Sequence, residues 1–230
     1  MRPYSCEHVQ PGHPDKMCDQ MADALLDAVL DAARRIEPSN QNSSNHPQNQ
    51  RVAVEILAKD YLIVLSGEMR IGADVRSEID IDSIIRRKWE SLGYPGSASL
   101  TVINHIQPQQ PELVASSDRR GAGDQGIMIG YATLETPSLM PKEYVLARDI
   151  CQKITELRVS NELPWLRPDG KAQVTLTADG KVSKVVVGAQ HALAVDGRHD
   201  PRMIQEHIRE QLKKLVIYPI CQTEIPDSHI

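Results

Sequence analysis

RVAVEILAKDYLIVLSGEM, residues 51–69, decides the fold class. Two runs rich in Val, Ile and Leu, Arg51–Ala58 and Tyr61–Met69, flank the dipeptide Lys59-Asp60. Strands joined by so short a link run antiparallel, because a parallel return needs a crossover of about a dozen residues. Lys-Asp is a weaker turn signal than Asn-Gly. A second pair, Gln173–Ala178 and Lys184–Ala189, surrounds Asp179-Gly180, a strong hairpin dipeptide. Strands that arrive in hairpins, not singly between helices, predict an antiparallel α+β fold and not a parallel doubly wound sheet.

Working outward, Met17, Met21, Leu25, Ala28, Val29 and Ala32 recur at spacings of three and four, which predicts a helix. Asp19, Asp23, Asp27 and Asp31 run down another face and read as solvated. Further helices are expected over Ile79–Leu92, Pro141–Val159 and Asp200–Leu215, the last with Asp200 as N-cap before Pro201. Ser99–Ile106 reads as a third strand. Met1–Lys16 and Gln107–Ser138 read as irregular. Pro38–Gln50 is Asn-, Gln- and Ser-rich and cannot repay the entropy of ordering, so a disordered surface insert is expected there. Helices should pack on one face of each sheet. The order suggests two loosely repeated hairpin-and-helix units, 1–128 and 129–230.

The 230 residues carry a net charge of -5, with 40% hydrophobic and 25% charged residues. Short basic runs mixed with acids do not make a nucleic-acid surface. No apolar run reaches the roughly 18 residues of a membrane span, and Met1–Asp19 is too polar for a signal peptide. Cys6, Cys18, Cys151 and Cys221 form no C-x-x-C pair, which fits free thiols in a reducing cytoplasm. The chain has no Phe, so its core must be aliphatic.

Three segments carry candidate chemistry. Gly12-His13-Pro14-Asp15-Lys16 precedes a helix and offers a carboxylate for Mg²⁺ with an imidazole and an ammonium for phosphate oxygens. A helix N-terminus adds free N–H groups. Gly121-Ala122-Gly123-Asp124-Gln125-Gly126 matches G-x-G-x-x-G but follows no strand, so a dinucleotide fingerprint is not indicated. Leu163-Pro164-Trp165-Leu166-Arg167-Pro168-Asp169-Gly170-Lys171 projects Asp169 and Lys171 from what reads as a tight turn. On residue types alone, each segment is equally an ordinary turn with solvated charges.

Taken in order, these segments resemble the signature of the methionine adenosyltransferase (S-adenosylmethionine synthetase) family. Arg-Val-Ala-Val-Glu (51–55), Ser-Gly-Glu (66–68) and Gly-Tyr-Ala-Thr-x-Glu-Thr (130–136) are similar to their family counterparts. The resemblance covers the N-terminal and middle portions, two or so of the family's three pseudo-symmetric units. It implies synthesis of S-adenosylmethionine from ATP and L-methionine with release of pyrophosphate and phosphate, and it implies Mg²⁺ and K⁺ as cofactors. His13 and Lys171 match catalytic residues. Glu7, Lys16, Asp124 and Asp169 match residues lining the nucleotide pocket. Glu68 and Gln109 match residues that hold methionine, Asp15 a Mg²⁺ ligand and Glu55 the K⁺-site carboxylate. The family's sites lie between subunits, which implies a homodimer or tetramer, or a second chain supplying the missing third.

Two departures qualify the resemblance. Pro11 replaces the family's Glu, and the family's C-terminal third, with a glycine-rich motif, several basic residues and a second Mg²⁺ aspartate, has no counterpart here. An incomplete or split enzyme subunit is the main expectation. The alternatives are a non-catalytic nucleotide-binding partner of a full-length enzyme and a purely structural protein.

Overall fold

The computed structural model describes residues 4–110 and 125–222. Along the chain lie β1 (Tyr4–Val9), α1 (Pro14–Ile36), β2 (Arg51–Lys59), β3 (Leu62–Arg70), α2 (Ala73–Glu78), α3 (Ile81–Ser91), β4 (Thr101–Pro108), α4 (Lys142–Val159), β5 (Leu166–Leu176), β6 (Val182–His191), α5 (Pro201–Leu212) and α6 (Tyr218–Cys221). They form two compact units, one of residues 14–128, the other of residues 1–13 with 129–230. The expected division at 128/129 therefore gains a correction: the first thirteen residues belong with the second half of the chain.

In the unit of residues 14–128 the sheet order is β2-β3-β4. β2 and β3 are antiparallel, paired from Arg51↔Arg70 to Lys59↔Leu62. The connecting residues are therefore Asp60 and Tyr61, one position later than the sequence suggests, and Asp60 takes the left-handed backbone at φ 53°. Aspartate tolerates that conformation better than most residues, which is why Lys-Asp-Tyr can turn without glycine. β4 pairs with β3 in parallel, so this sheet is mixed and not wholly antiparallel. The crossover that a parallel return requires is α2 and α3. Sequence reading missed α2 because its six residues are too few to show a period.

α1 lies on this sheet with the expected stripe inward: Met17, Met21, Leu25, Val29, Ala32 and Ala33 are buried. The Asp face is exposed, with Asp31 paired to Arg34 at 2.8 Å. Ile63, Leu65, Ile85 and Trp89 complete a largely aliphatic core, with Tyr94 stacked on Trp89 at its margin. Full burial of each such side chain contributes roughly 1.5–3 kcal/mol.

The segment expected to be a disordered insert is instead a hydrogen-bonded loop. Asn49 Nδ2 donates to the carbonyls of Gln41 and Ser43, and Gln50 Nε2 donates to those of Ser44 and His46. Gln50 Oε1 accepts from the Gly72 N–H at 2.9 Å, and both His46 and Gln50 are buried. Amides that bury little apolar surface still order a loop when they satisfy its backbone groups. Composition argued only from hydrophobicity and overlooked this.

The other unit holds an antiparallel sheet of order β1-β5-β6. β1 was not foreseen in Met1–Lys16; it supplies the third strand that the second half otherwise lacks, running from Tyr4↔Leu176 to Val9↔Lys171. α4 packs against β1 and β5, burying Ala147, Ile150, Ile154 and Leu157 over Ala172, Val174 and Leu176. α5 has the expected cap, Asp200 accepting from the Arg202 and Met203 N–H groups. It continues through a π-helical turn, Lys213–Ile217, into α6. Pro219 in α6 has no N–H to return to the turn before it, which favours this wider winding. No helix among the described residues is long and apolar enough to cross a membrane.

Candidate active site

The Leu-Pro-Trp-Leu-Arg-Pro-Asp-Gly-Lys segment is not the tight turn expected from its prolines. Leu163-Pro164-Trp165 turn the chain into β5, and Leu166–Lys171 form the first half of that strand, interrupted by a bulge: Leu166 pairs with His191 and Gly170 with Ala189, so four steps on β5 match two on β6. Pro168 sits in the bulge, where a strand tolerates a residue without an N–H. Beyond it the strand alternates regularly, with Ala172, Val174 and Leu176 inward and Lys171 and Gln173 exposed.

Glu7 stands on the same outer face of β1, diagonal to Lys171. Glu7 Oε2 lies 3.5 Å from Lys171 Nζ, and both side chains are about half exposed (55% and 54%). A pair this long and this exposed is worth about 0–1 kcal/mol, so an arriving phosphate can take the ammonium without a large loss. Asp169 is half-buried, its N–H donating to Gln190 Oε1 at 3.4 Å.

His13 joins this unit through its backbone. The Gln10 N–H donates to the Gly170 carbonyl at 2.8 Å, and the His13 N–H donates to the Gln10 carbonyl at 3.0 Å. Gly12 is buried against the bulge. A Cβ there would fall 2.4 Å from Pro168 Cβ and 2.6 Å from the Pro168 carbonyl oxygen, so only glycine fits. Gly170 is equally constrained, with the Gln10 amide at 2.5 Å and the Gly188 carbonyl at 2.7 Å from the position of its absent Cβ. Two segments more than 150 positions apart are thus pressed together, and Glu7, His13, Asp169 and Lys171 share one unit.

Asp15 and Lys16 lie in the first turn of α1, in the unit of residues 14–128, with Asp15 exposed. The mixed sheet of that unit carries Glu55 and Glu68 on its outer face. Glu55 is opposite Ser66, which is opposite His105; Glu68 is opposite Ala53 and Gln107. Gln109 follows β4, its N–H donating to the Met69 carbonyl. Asp124 lies outside the described residues.

No three His, Cys, Asp or Glu residues converge as a metal cluster among the described residues. Asp15 stands as a single carboxylate, a donor set that suits Mg²⁺ held largely by waters and substrate phosphates, not an all-protein cage. Burial raises the pKa of Cys6 and Cys18, and pushes Cys221 up to about 11, so these three thiols stay protonated at neutral pH. Buried Cys151 donates to the His8 carbonyl.

Residues 2–111 match the model of the S-adenosylmethionine synthetase N-terminal domain, and residues 119–230 match that of the central domain. The chain belongs to the S-adenosylmethionine synthetase family. It is 37% identical over 225 residues to an S-adenosylmethionine synthase of Fusobacterium nucleatum subsp. nucleatum, a match covering 95% of this chain and 53% of that protein. The chain thus spans about half the length of the curated relative. Within the synthetase family reading, Gln10 is the residue sequence analysis overlooked. Its backbone ties the His13 turn to β5, and its side chain is wholly buried. Its only signal in sequence is its place beside the Gly-His-Pro-Asp-Lys segment.

Proposed function

We propose that this chain takes part in the synthesis of S-adenosylmethionine from ATP and L-methionine, as part of a methionine adenosyltransferase whose remaining portion completes the site. The observation that carries this reading is the packing of Gly12 against Pro168, which sets His13 beside the Asp169-Gly170-Lys171 strand. In the reaction the methionine sulfur lone pair forms a bond to ribose C5′. The C5′–O5′ bond breaks and its electrons leave on the triphosphate, which is then hydrolysed to pyrophosphate and phosphate. A thioether needs no deprotonation, so catalysis rests on alignment and on stabilising the leaving charge.

His13 donates a hydrogen bond to the departing oxygens. Lys171 exchanges Glu7 for phosphate, and Lys16 adds positive charge at the start of α1. Glu7 and Asp169 accept from nucleotide hydroxyl or amino groups. Glu68 and Gln109 hold methionine. Asp15 would hold Mg²⁺ and Glu55 would hold K⁺, the former supplying charge neutralisation of the phosphates. The enzyme works in the cytoplasm as a homodimer or tetramer, or with a separate chain that supplies the rest.

The test is product formation from Mg²⁺, ATP and methionine, with residues 1–230 alone and with the C-terminal portion of a family member added. Activity only in the mixture is expected. ATP binding without turnover in any mixture would instead favour the non-catalytic partner, a reading consistent with the chain's spanning 53% of its relative.

A further inference from the structure

The Gln10 side chain is wholly buried, yet neither Oε1 nor Nε2 meets a hydrogen-bond partner among the described residues. A buried amide left unpaired at both ends costs stability, so a side chain of the same length without polar atoms would hold the fold better. What this amide does is fill space. Its Nε2 lies 2.5 Å, and its Cδ 3.1 Å, from where a Cβ on Gly170 would stand. Gly170 is buried and falls in the same alternation as Ala172 and Val174, which face inward. The gap that glycine leaves in that inward row is therefore taken by a side chain from just beyond β1. Lys171, the next residue, is exposed on the opposite face.

A wedge under Gly170 sets how far β5 stands from its inner layer at the residue before Lys171. The main chain of the same residue sets His13: the Gln10 N–H donates to the Gly170 carbonyl at 2.8 Å, and the Gln10 carbonyl accepts from the His13 N–H at 3.0 Å. One residue thus acts on Lys171 through its side chain and on His13 through its backbone, all within one unit. We propose that Gln10 is a positioning residue: the bulk of its side chain, not its hydrogen-bonding groups, holds the strand at Gly170 so that Lys171 and His13 face one phosphate chain together. That the phosphate chain is the triphosphate of ATP rests on the proposed function; the hold of Gln10 on Gly170 does not. The resemblance that assigned His13 and Lys171 gave Gln10 no role. A misplacement of about 1 Å is enough to cost such a site much of its effect.

The experiment is titration calorimetry of the whole chain with Mg²⁺ and inorganic triphosphate, with the melting temperature of each protein measured beside it. The variants are Gln10→Ala, Gln10→Met, Lys171→Ala and the double variant of Gln10→Ala with Lys171→Ala. Gln10→Ala should bind about tenfold more weakly, the scale of one charge-assisted hydrogen bond. In the Lys171→Ala background the same change should cost less than about twofold, because the group it displaces is already gone. Gln10→Met should recover wild-type affinity and melt higher than the wild type, since the thioether fills the space and leaves no amide unpaired. Gln10→Asn, one methylene shorter, should show part of the loss and takes the place of the alanine variant if that one does not fold. Equal binding by the wild type and Gln10→Ala overturns the proposal. So does a loss of the same size with and without Lys171, which would mark general loosening. Weak binding by a Gln10→Met that melts higher overturns it too, because the amide itself would then be required, as does the absence of triphosphate binding by the wild type. Gln10-dependent binding in a chain that forms no product in any mixture would keep this inference and remove the proposed function. Product formation with a triphosphate affinity that Gln10→Ala leaves unchanged would do the reverse.

Discussion

Replacing Gly12 with alanine tests whether the two motif segments are truly pressed together. The added Cβ would lie 2.4, 2.6 and 2.7 Å from Pro168 Cβ, carbonyl oxygen and carbonyl carbon. These are not the ends of flexible side chains. Two of the three atoms are backbone, and the third belongs to a ring whose proline is itself buried. Relief therefore requires the bulge to move off the Gly12 turn, and overpacking of this kind costs about 1–3 kcal/mol. For a unit of this size that lowers Tm by roughly 2–12 °C. Nucleotide affinity should fall too, because the same movement carries His13 away from Asp169. The assay is thermal unfolding with parallel ATP titration. Gly130→Ala serves as the control, since a Cβ there meets nothing within 4 Å. If Gly12→Ala melts and binds like the wild type while the control does the same, the contact is absent and the argument built on it is falsified.

Three further outcomes are expected. Lys171→Ala should weaken Mg²⁺-ATP binding by about 1.5–3 kcal/mol in calorimetry while shifting Tm little, because its exposed 3.5 Å pair with Glu7 contributes almost nothing to folding. Gln50→Ala should destabilise by roughly 1–3 kcal/mol in urea unfolding, since it strands the buried Gly72 N–H and the loop carbonyls; a neutral result would mean the 38–50 segment is not held as described. Stability should be full below about pH 9 and fall as pH rises toward 11, because the Cys221 thiol is held protonated by burial in the folded chain and ionises more easily unfolded; Cys221→Ala should remove that part of the slope in pH-dependent melting.

What the sequence made legible follows from period and contact range. The α1 stripe, the Asp200 cap and both hairpins rest on residues a few positions apart, and the structure contains them all, although β5 begins seven residues before the strand expected there. β1 and the parallel placement of β4 depend on partners far along the chain, and nothing local in Tyr4–Val9 announces Leu176 as its neighbour. The bulge in β5 misled for a similar reason: Pro168 looks like part of a turn until a second strand is present to make it a detour. Of the site residues, Asp169 and Lys171 on β5 were readable as chemistry and Glu7 on β1 only through the resemblance, and none was readable as a neighbour of the others.

The same inventory explains why residues 1–230 should be silent alone. A departing triphosphate gathers several negative charges, and the groups assigned to meet them are His13, Lys16, Lys171 and whatever cation Asp15 holds. Lys171 already faces Glu7, with Asp169 two residues before it on the same strand, in a chain whose net charge is -5. Removing one preorganised donor from such a site typically costs about a hundred- to a thousandfold in rate. The curated relative brings nearly twice this length to its reaction, so more than one donor has room to lie outside the match. Such losses compound without adding simply. Adding the remaining portion in trans should therefore restore rate far more than it tightens ATP binding, because the groups it brings act on charge that exists only as the bond breaks. A mixture that gains affinity but no rate would show that the added portion merely completes the fold.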